Sequence, residues 1–494
     1  MNIVWFKRDL RITDHAPLFE AALLGKVLPL YIVEPEFWKQ PDASRRHWHF
    51  IHDSLIDLSK ELAFMGASLI IRIGEAVEVL QQIKDELGFF ALWSHEETGN
   101  AWTYQRDLAV QSWCRTHNIN WHEFPTNGVV RRLTSRDGWA NIRDKRMAAP
   151  IIQVPQQLAQ VSVRTHDLPS KHHQIFGIDS IGYVQEGGRT AAIKTLNSFL
   201  KERGRNYMQT ISKPGISARH CSRLSPHISY GTISVREIEQ ATKAKLLALQ
   251  DNNDQDAFYF RKNLHAFLSR MAWHCHFIQK LEQQPDIEQC CMHPAFEGMR
   301  EPYFREDYFE AWKNGHTGYP LIDACMRSLH ENGWITFRMR AMLVSFASYD
   351  LWLDWRKTAP FLAKLFTDYE AGIHYSQFQM QSGVTGINAV RIYNPIKQSY
   401  EHDPAGKFIR RYVPELKSIP DKFIHEPWMM ANDKLAYRMP IIDHAAAIKY
   451  ARQEISARRK QEGFSAESRE VNKKLGSRKK SAKKPDSSQL SFDI

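Results

Sequence analysis

Cysteine is scarce and poorly placed for cross-linking. Six occur in 494 residues (Cys114, Cys221, Cys275, Cys290, Cys291 and Cys325), with no Cys-x-x-Cys pair, which excludes a disulfide framework and a zinc ribbon. His274 and His276 with Cys290, Cys291 and His293 come nearest to a ligand cluster. Residues two apart on a helix face different ways, however, so no metal is expected. No apolar run is long enough to cross a membrane, and the start, Met1-Asn-Ile-Val-Trp-Phe-Lys-Arg, lacks a secretory apolar stretch; the expected location is cytoplasmic. Acid is also in short supply. The net charge of +11 suggests an anionic partner, most simply nucleic acid, although +6 of it lies between Arg452 and Ile494. Aromatics are plentiful, with 14 Trp and 26 Phe, enough to line a flat ligand or simply to pack a large core.

The length exceeds what one hydrophobic core supports, so two domains are expected. Residues 1–128 alternate strand patterns (Ile3–Phe6, Val27–Val33, Ser68–Ile73, Phe89–Trp93) with helical ones (Ala16–Leu24, His47–Phe64, Ala76–Leu87). This alternation makes a parallel sheet covered on both faces, a Rossmann-like α/β domain. The charged loop Lys7-Arg8-Asp9-Leu10-Arg11 then falls at the carboxyl end of the first strand, as a ligand loop or as a surface ion-pair cluster. Residues 129–189, interrupted by Pro150, Pro155 and Pro169, read as a connector. The pattern from 190 to 450 is all-α, with helices over Ala191–Arg203, Val235–Gln250, Asp256–Lys280, Pro320–Asn332 and Phe337–Trp355. Residues 451–494 form a basic tail. Its stretch Val471–Lys484 has seven Lys or Arg and no acid, so disorder is expected, with the tail either touching phosphate backbone or merely solubilising.

One stretch has no explanation in periodicity. It contains Trp312-Lys-Asn-Gly-His-Thr-Gly-Tyr-Pro-Leu-Ile-Asp, then Asn332-Gly-Trp-Ile-Thr-Phe-Arg-Met-Arg, then Arg391-Ile-Tyr-Asn-Pro. This pattern resembles the flavin-binding half of the photolyase/cryptochrome family, and Trp5-Phe-Lys-Arg-Asp-Leu-Arg resembles that family's opening. The likeness runs from Asn2 to about Trp428. It implies an α/β antenna domain followed by an all-α FAD-binding domain, FAD as cofactor, room for a second antenna chromophore, and DNA as the partner of a monomer.

The resemblance also implies roles. Tyr207, Ser222, Arg223, Leu224 and Ser225 take the positions that hold the flavin diphosphate; hydroxyls, backbone N–H groups opening a helix and a guanidinium suit phosphate oxygens. Arg340 and Asp368 take those of an ion pair beside the isoalloxazine, and Glu370 that of the acid at the ring edge. His374 faces flavin N5, so the state of the flavin is expected to vary with pH in the histidine range. From Asp368 to Val384 the match is to cryptochromes of the DASH type.

Several positions depart from the family. Phe378 replaces the nearest Trp of the electron-transfer chain, Trp355 keeps the middle one, and no Trp lies within 297–311, so the usual photoreduction route is expected to be broken. In the substrate pocket Trp334 is kept, Phe337 replaces an Asn, Met380 replaces a stacking aromatic, and Phe258–Lys280 contains no Glu. The resemblance therefore implies blue-light-driven electron transfer that repairs pyrimidine lesions, by a deoxyribodipyrimidine photolyase-type lyase. The alternative is a cryptochrome-type photoreceptor without repair activity.

Overall fold

The computed structural model describes residues 1–159, 161–252, 254–430 and 436–478. Five parallel strands, β1 (Asn2–Phe6), β2 (Val27–Val33), β3 (Ile70–Ile73), β4 (Ala91–His95) and β5 (Trp121–Phe124), lie in the order β3-β2-β1-β4-β5. β1 and β2 are buried along their whole length, which is why they read as unbroken apolar runs. β5 is an edge strand of only intermediate burial, and its mixed Trp-His-Glu-Phe carries no such signal. The order reverses between β1 and β4. The crevice at that point receives the Lys7–Asp9 loop and the residues after His95.

The connector is less irregular than expected, since Trp139–Ala148 is a helix. Beyond it the protein is helical. Pro320–Asn332 forms as expected, whereas the single helix expected over 337–355 is broken. Phe337–Ser345 is α-helical, Phe346–Asp350 forms a π-helical turn, and Trp352 takes a positive φ of 53°. Asp354 then caps a new helix, Trp355–Leu365, accepting from the Arg356 N–H at 3.2 Å.

The glycine-rich motif before Pro320 has a structural cause. The carboxylate of Asp323, fully buried, accepts from Thr317 N–H and Oγ1 (both 2.7 Å), Gly318 N–H (3.1 Å) and the Tyr437 hydroxyl (2.6 Å). Gly318 has a φ of +81°, and a Cβ there would stand 2.4 Å from the Met439 carbonyl oxygen.

The expected disordered tail needs correction over its first part. His444–Arg459 and Phe464–Leu475 are helices. The Phe464 ring stacks on buried His293 at 4.0 Å, and Leu475 is fully buried. Apolar residues at Ala447, Ile448, Ala451 and Ile455 supply the buried stripe that the basic composition obscured. The rest of the expected tail, 479–494, lies outside the described residues. Removing the docked ring by Phe464→Ala should lower stability by about 2 kcal/mol, seen as a reduced denaturant midpoint.

Candidate functional site

A cavity of 320 Å³ opens between three helices of the helical domain. Gln255–Gln283 contributes Arg270, Trp273, His274 and Phe277, at helical spacing. Phe337–Ser345 contributes Phe337, Arg338 and Arg340, and Ala371–Gln381 contributes Ile373, His374, Gln377, Phe378 and Gln381. The loop Cys221–Ser225 and the segment Asp368–Glu370 close the walls.

Arg340 and Asp368 are paired. One guanidinium nitrogen, Nη2, donates to both carboxylate oxygens at 3.0 and 2.9 Å, while Nε donates to the Ile335 carbonyl. Burial alone would raise Asp368, but Arg340, Ser225 and Arg223 hold it below the usual carboxylate range. Arg223 has a φ of +60°, and its guanidinium lies over the Trp334 ring, 4.1 Å from the centroid, instead of pairing with a carboxylate. Burial lowers Arg223 to about 10, which leaves it a cation at neutral pH. Tyr207 lines the same end, its hydroxyl bonded to Arg270 and its ionisation pushed up by burial.

The diphosphate loop differs from expectation in two ways. Leu224 is fully buried in the core and does not line the cavity, and its N–H is directed to Ser222 Oγ at 3.4 Å. The helix that follows, Ser225–Ser229, has only five residues and so little macrodipole, which leaves the serine hydroxyls and Arg223 as the groups that would meet an anion. Ser222 and Ser225 both line the cavity.

Glu370 lies in the cavity wall and pairs with Arg8 of the α/β domain at 3.2 Å. His374 also lines the wall. Its Nε2 donates to the Ala359 carbonyl at 2.9 Å, which leaves Nδ1 as an acceptor, and burial lowers its ionisation to about 3. The expected pH response in the histidine range is thereby corrected, because this ring stays neutral well below it. Phe378 lines the cavity with its ring 4.6 Å from His374. Trp355 is buried behind the wall and does not line it. Trp334 and Phe337 stand at the cavity. Met380 does not, because it sits just beyond the stripe Glu370, Ile373, His374, Gln377, Phe378 and Gln381.

Arg270, Trp273, His274, Arg338 and Tyr393 were given no place in the cofactor site from the sequence, where His274 was weighed only as a metal ligand. The first three share the i, i+3, i+4 spacing of one helix face, a signal available once that helix is taken as a wall. Among the described residues one set of potential metal ligands converges, Asp9, His15 and His95. Asp9 Oδ2 accepts from His15 Nε2 (2.9 Å) and His95 Nδ1 (2.7 Å), so these atoms satisfy one another.

Together the fold and cavity define a two-domain, flavin-binding α/β-plus-helical protein. The family model described as FAD binding domain of DNA photolyase matches residues 267–457, and the one described as DNA photolyase matches 2–138. A deoxyribodipyrimidine photo-lyase of Alkalihalophilus pseudofirmus is 28% identical over 91% of this chain and 97% of its own length. Cryptochrome-1 of Anopheles gambiae is 25% identical over 91% of each. The crystal structure of an archaeal photolyase from Sulfolobus tokodaii with two FAD molecules superposes with a TM-score of 0.73, at 25% identity, covering 92% of this chain and all of that one. The chain belongs to the photolyase/cryptochrome family, and its helical domain is an FAD-binding domain. The residues present fit that cofactor: Ser222, Ser225 and Arg223 offer hydroxyls and a cation suited to a diphosphate, and the cavity presents aromatic and amide side chains suited to the rings.

The purified protein should carry one non-covalent FAD per chain, measured by absorbance after heat release, and Arg340→Glu should empty the site by setting two carboxylates face to face. A second expectation concerns acid. Burial lowers His47, His95 and His274 to about 4, and His227 and His374 to about 3, against an ordinary 6.5. The unfolded chain binds these protons first, so stability is full above about 6.5 and falls as pH drops toward 4. Denaturant midpoints at pH 7 and pH 5 should show the loss before most carboxylates titrate.

Proposed function

We propose that this chain is a light-driven repair enzyme for pyrimidine lesions in DNA, a deoxyribodipyrimidine photolyase-type lyase. The observation that carries this is the charge of the cavity. Five arginines (Arg223, Arg270, Arg338, Arg340, Arg391) line it against two carboxylates, Asp368 and Glu370, more than an FAD diphosphate neutralises. The surplus lies with aromatic rings: Trp273, Trp334 and Tyr393 are half-buried, and Phe337 is 36% exposed. Cations beside stacking rings are what a base turned out of the helix requires, with guanidiniums on its flanking phosphates. Bound FAD supplies the light-excited electron donor.

The protein's own part is to hold and orient. Arg340, kept in place by Asp368, sets a cation at the flavin wall. Arg223 and the two serines hold the diphosphate. Trp334 and Phe337 supply stacking surface, and the buried neutral His374 offers an acceptor at Nδ1. Action as a monomer is part of this reading. No helix among the described residues is long and apolar enough to cross a membrane, in keeping with a cytoplasmic setting. A second chromophore is compatible with the family. Here the cavity at the strand ends is 70 Å³ and holds the ion-paired Lys7, Glu34, Glu97 and Arg106, a space that suits a group smaller than a flavin.

A cryptochrome-type photoreceptor is the second reading. It is favoured by Phe378 at the inner wall and by Arg270 on a helix face that carries no glutamate. UV-irradiated single- and double-stranded oligonucleotides, with and without blue light, separate the two. Light-dependent loss of lesions is expected, and its absence from protein with full, reduced FAD leaves the photoreceptor reading. Binding to DNA should survive removal of 479–494 and weaken steeply with salt. The cut belongs after Arg478, because Phe464–Leu475 is part of the folded body.

A further inference from the structure

Glu370 stands in a wall shared by two cavities. One is the 320 Å³ FAD cavity, and the other is a 60 Å³ cavity between the domains, at the carboxyl ends of β1 and β4. Its side chain is 11% exposed, and the residue occupies the N-cap position of the Ala371–Gln381 helix. Two residues earlier, Asp368 is held by Arg340 from within the helical domain. Glu370 is held from outside it.

Arg8 leaves the end of β1 and crosses the domain boundary. Its Nε donates to the Ser229 carbonyl and its Nη2 to the Tyr369 carbonyl, both at 2.8 Å, and Nη2 lies 3.2 Å from Glu370 Oε2. The two carbonyls fix the guanidinium so that the ion pair has one geometry.

The other groups facing Glu370 do not replace Arg8. Glu97, in the loop after β4, opposes its charge, and Lys7 is already committed to Glu97 and Asp107. His95, bonded to Asp9, and His274 line the smaller cavity and are held neutral by burial. Glu96 lines it too, and burial raises that carboxyl. From its own helix the Gly372 N–H favours the anion. Burial raises Glu370, and Arg8 is the largest opposing influence.

We propose that Arg8 is a positioning residue for the flavin site, holding Glu370 ionised and oriented in the cavity wall so that docking of the α/β domain sets the charge next to bound FAD. This rests on the cavity being the FAD site. The charged loop at the end of β1 thus acts on the helical domain's cofactor as well as on its own crevice.

The experiment is a pH titration of the FAD absorption spectrum in the full-length, FAD-loaded protein, comparing wild type with Arg8→Ala, Arg8→Lys and Glu370→Gln. Loss of Arg8 removes the influence that lowers Glu370, so the spectral transition should move to higher pH in Arg8→Ala. It should return toward wild type in Arg8→Lys and vanish in Glu370→Gln. An Arg8→Ala profile identical to wild type at full FAD occupancy overturns the proposal, as does a transition that persists in Glu370→Gln. If Arg8→Ala purifies without FAD, Arg8→Gln, which keeps a donor for the carbonyls, makes the same comparison. Loss of FAD from both that Glu370→Gln does not restore places Arg8 in folding alone and also overturns it. A wild type that takes up no FAD fails differently, since it removes the FAD reading itself.

Discussion

The ion pair between Arg340 and Asp368 is the constraint around which the helical domain is arranged. Removing either partner would strand a buried charge, at a cost of about 3–5 kcal/mol for a pair of this kind. The surroundings hold both ends. The Ile335 carbonyl takes Arg340 Nε, the Phe366 ring lies 4.1 Å from the guanidinium carbon, and the Thr367 N–H donates to the Gly333 carbonyl at 2.9 Å. A Cβ on Gly333 would stand 2.4 Å from Thr367 Oγ1, so the Asn-Gly-Trp turn can approach Asp368 only with glycine there. The ion pair, the turn and the aromatic Trp334 are one arrangement.

The same segment ties the two domains together. His47 Nε2 lies 3.1 Å from the Ala363 and Phe366 carbonyls, Arg46 donates to the His330 carbonyl at 2.6 Å, and the Tyr369 hydroxyl donates to Asp42. With Arg8 on Tyr369 and Glu370, the chain from Thr367 to Glu370 is gripped from the α/β side while Asp368 and Glu370 line the cavity. The price of such a boundary is a set of buried polar groups that tolerate acid poorly, and the gain is a rigid cofactor wall. Rigidity matters here, because a site that only positions a cofactor and its target acts through distance and orientation.

What the wall presents is both cationic and aromatic. An apolar cavity would retain a flavin and nothing else. The half-buried Arg270, Arg338 and Arg391 carry the wall's charge toward solvent, and the neutral His374 and Phe378 add no group that titrates in the ordinary range. The inner wall therefore offers fixed dipoles and fixed charges, and no titrating proton of its own from His374.

The sequence alone determined the two-domain plan and the parallel sheet, each from a local signal, continuous apolar strands or helical periods. The pairing of Arg340 with Asp368 came from the family resemblance and not from any local signal. The sequence under-reported edges and breaks. β5 lacked an apolar run because none of its residues is fully buried, the π-turn at Phe346–Asp350 leaves apolar periodicity intact while bending the chain, and the last helices hid a narrow apolar stripe among lysines and arginines. Three things were decided only by tertiary packing. Burial made His374 neutral, which its residue type could not reveal. On the helix Gln381 falls within the wall's stripe, while Met380 lies about 20° beyond its edge at Ile373, within the scatter of any period. Arg8 and Glu370, 362 positions apart in sequence, met only because two separately encoded domains dock along one boundary.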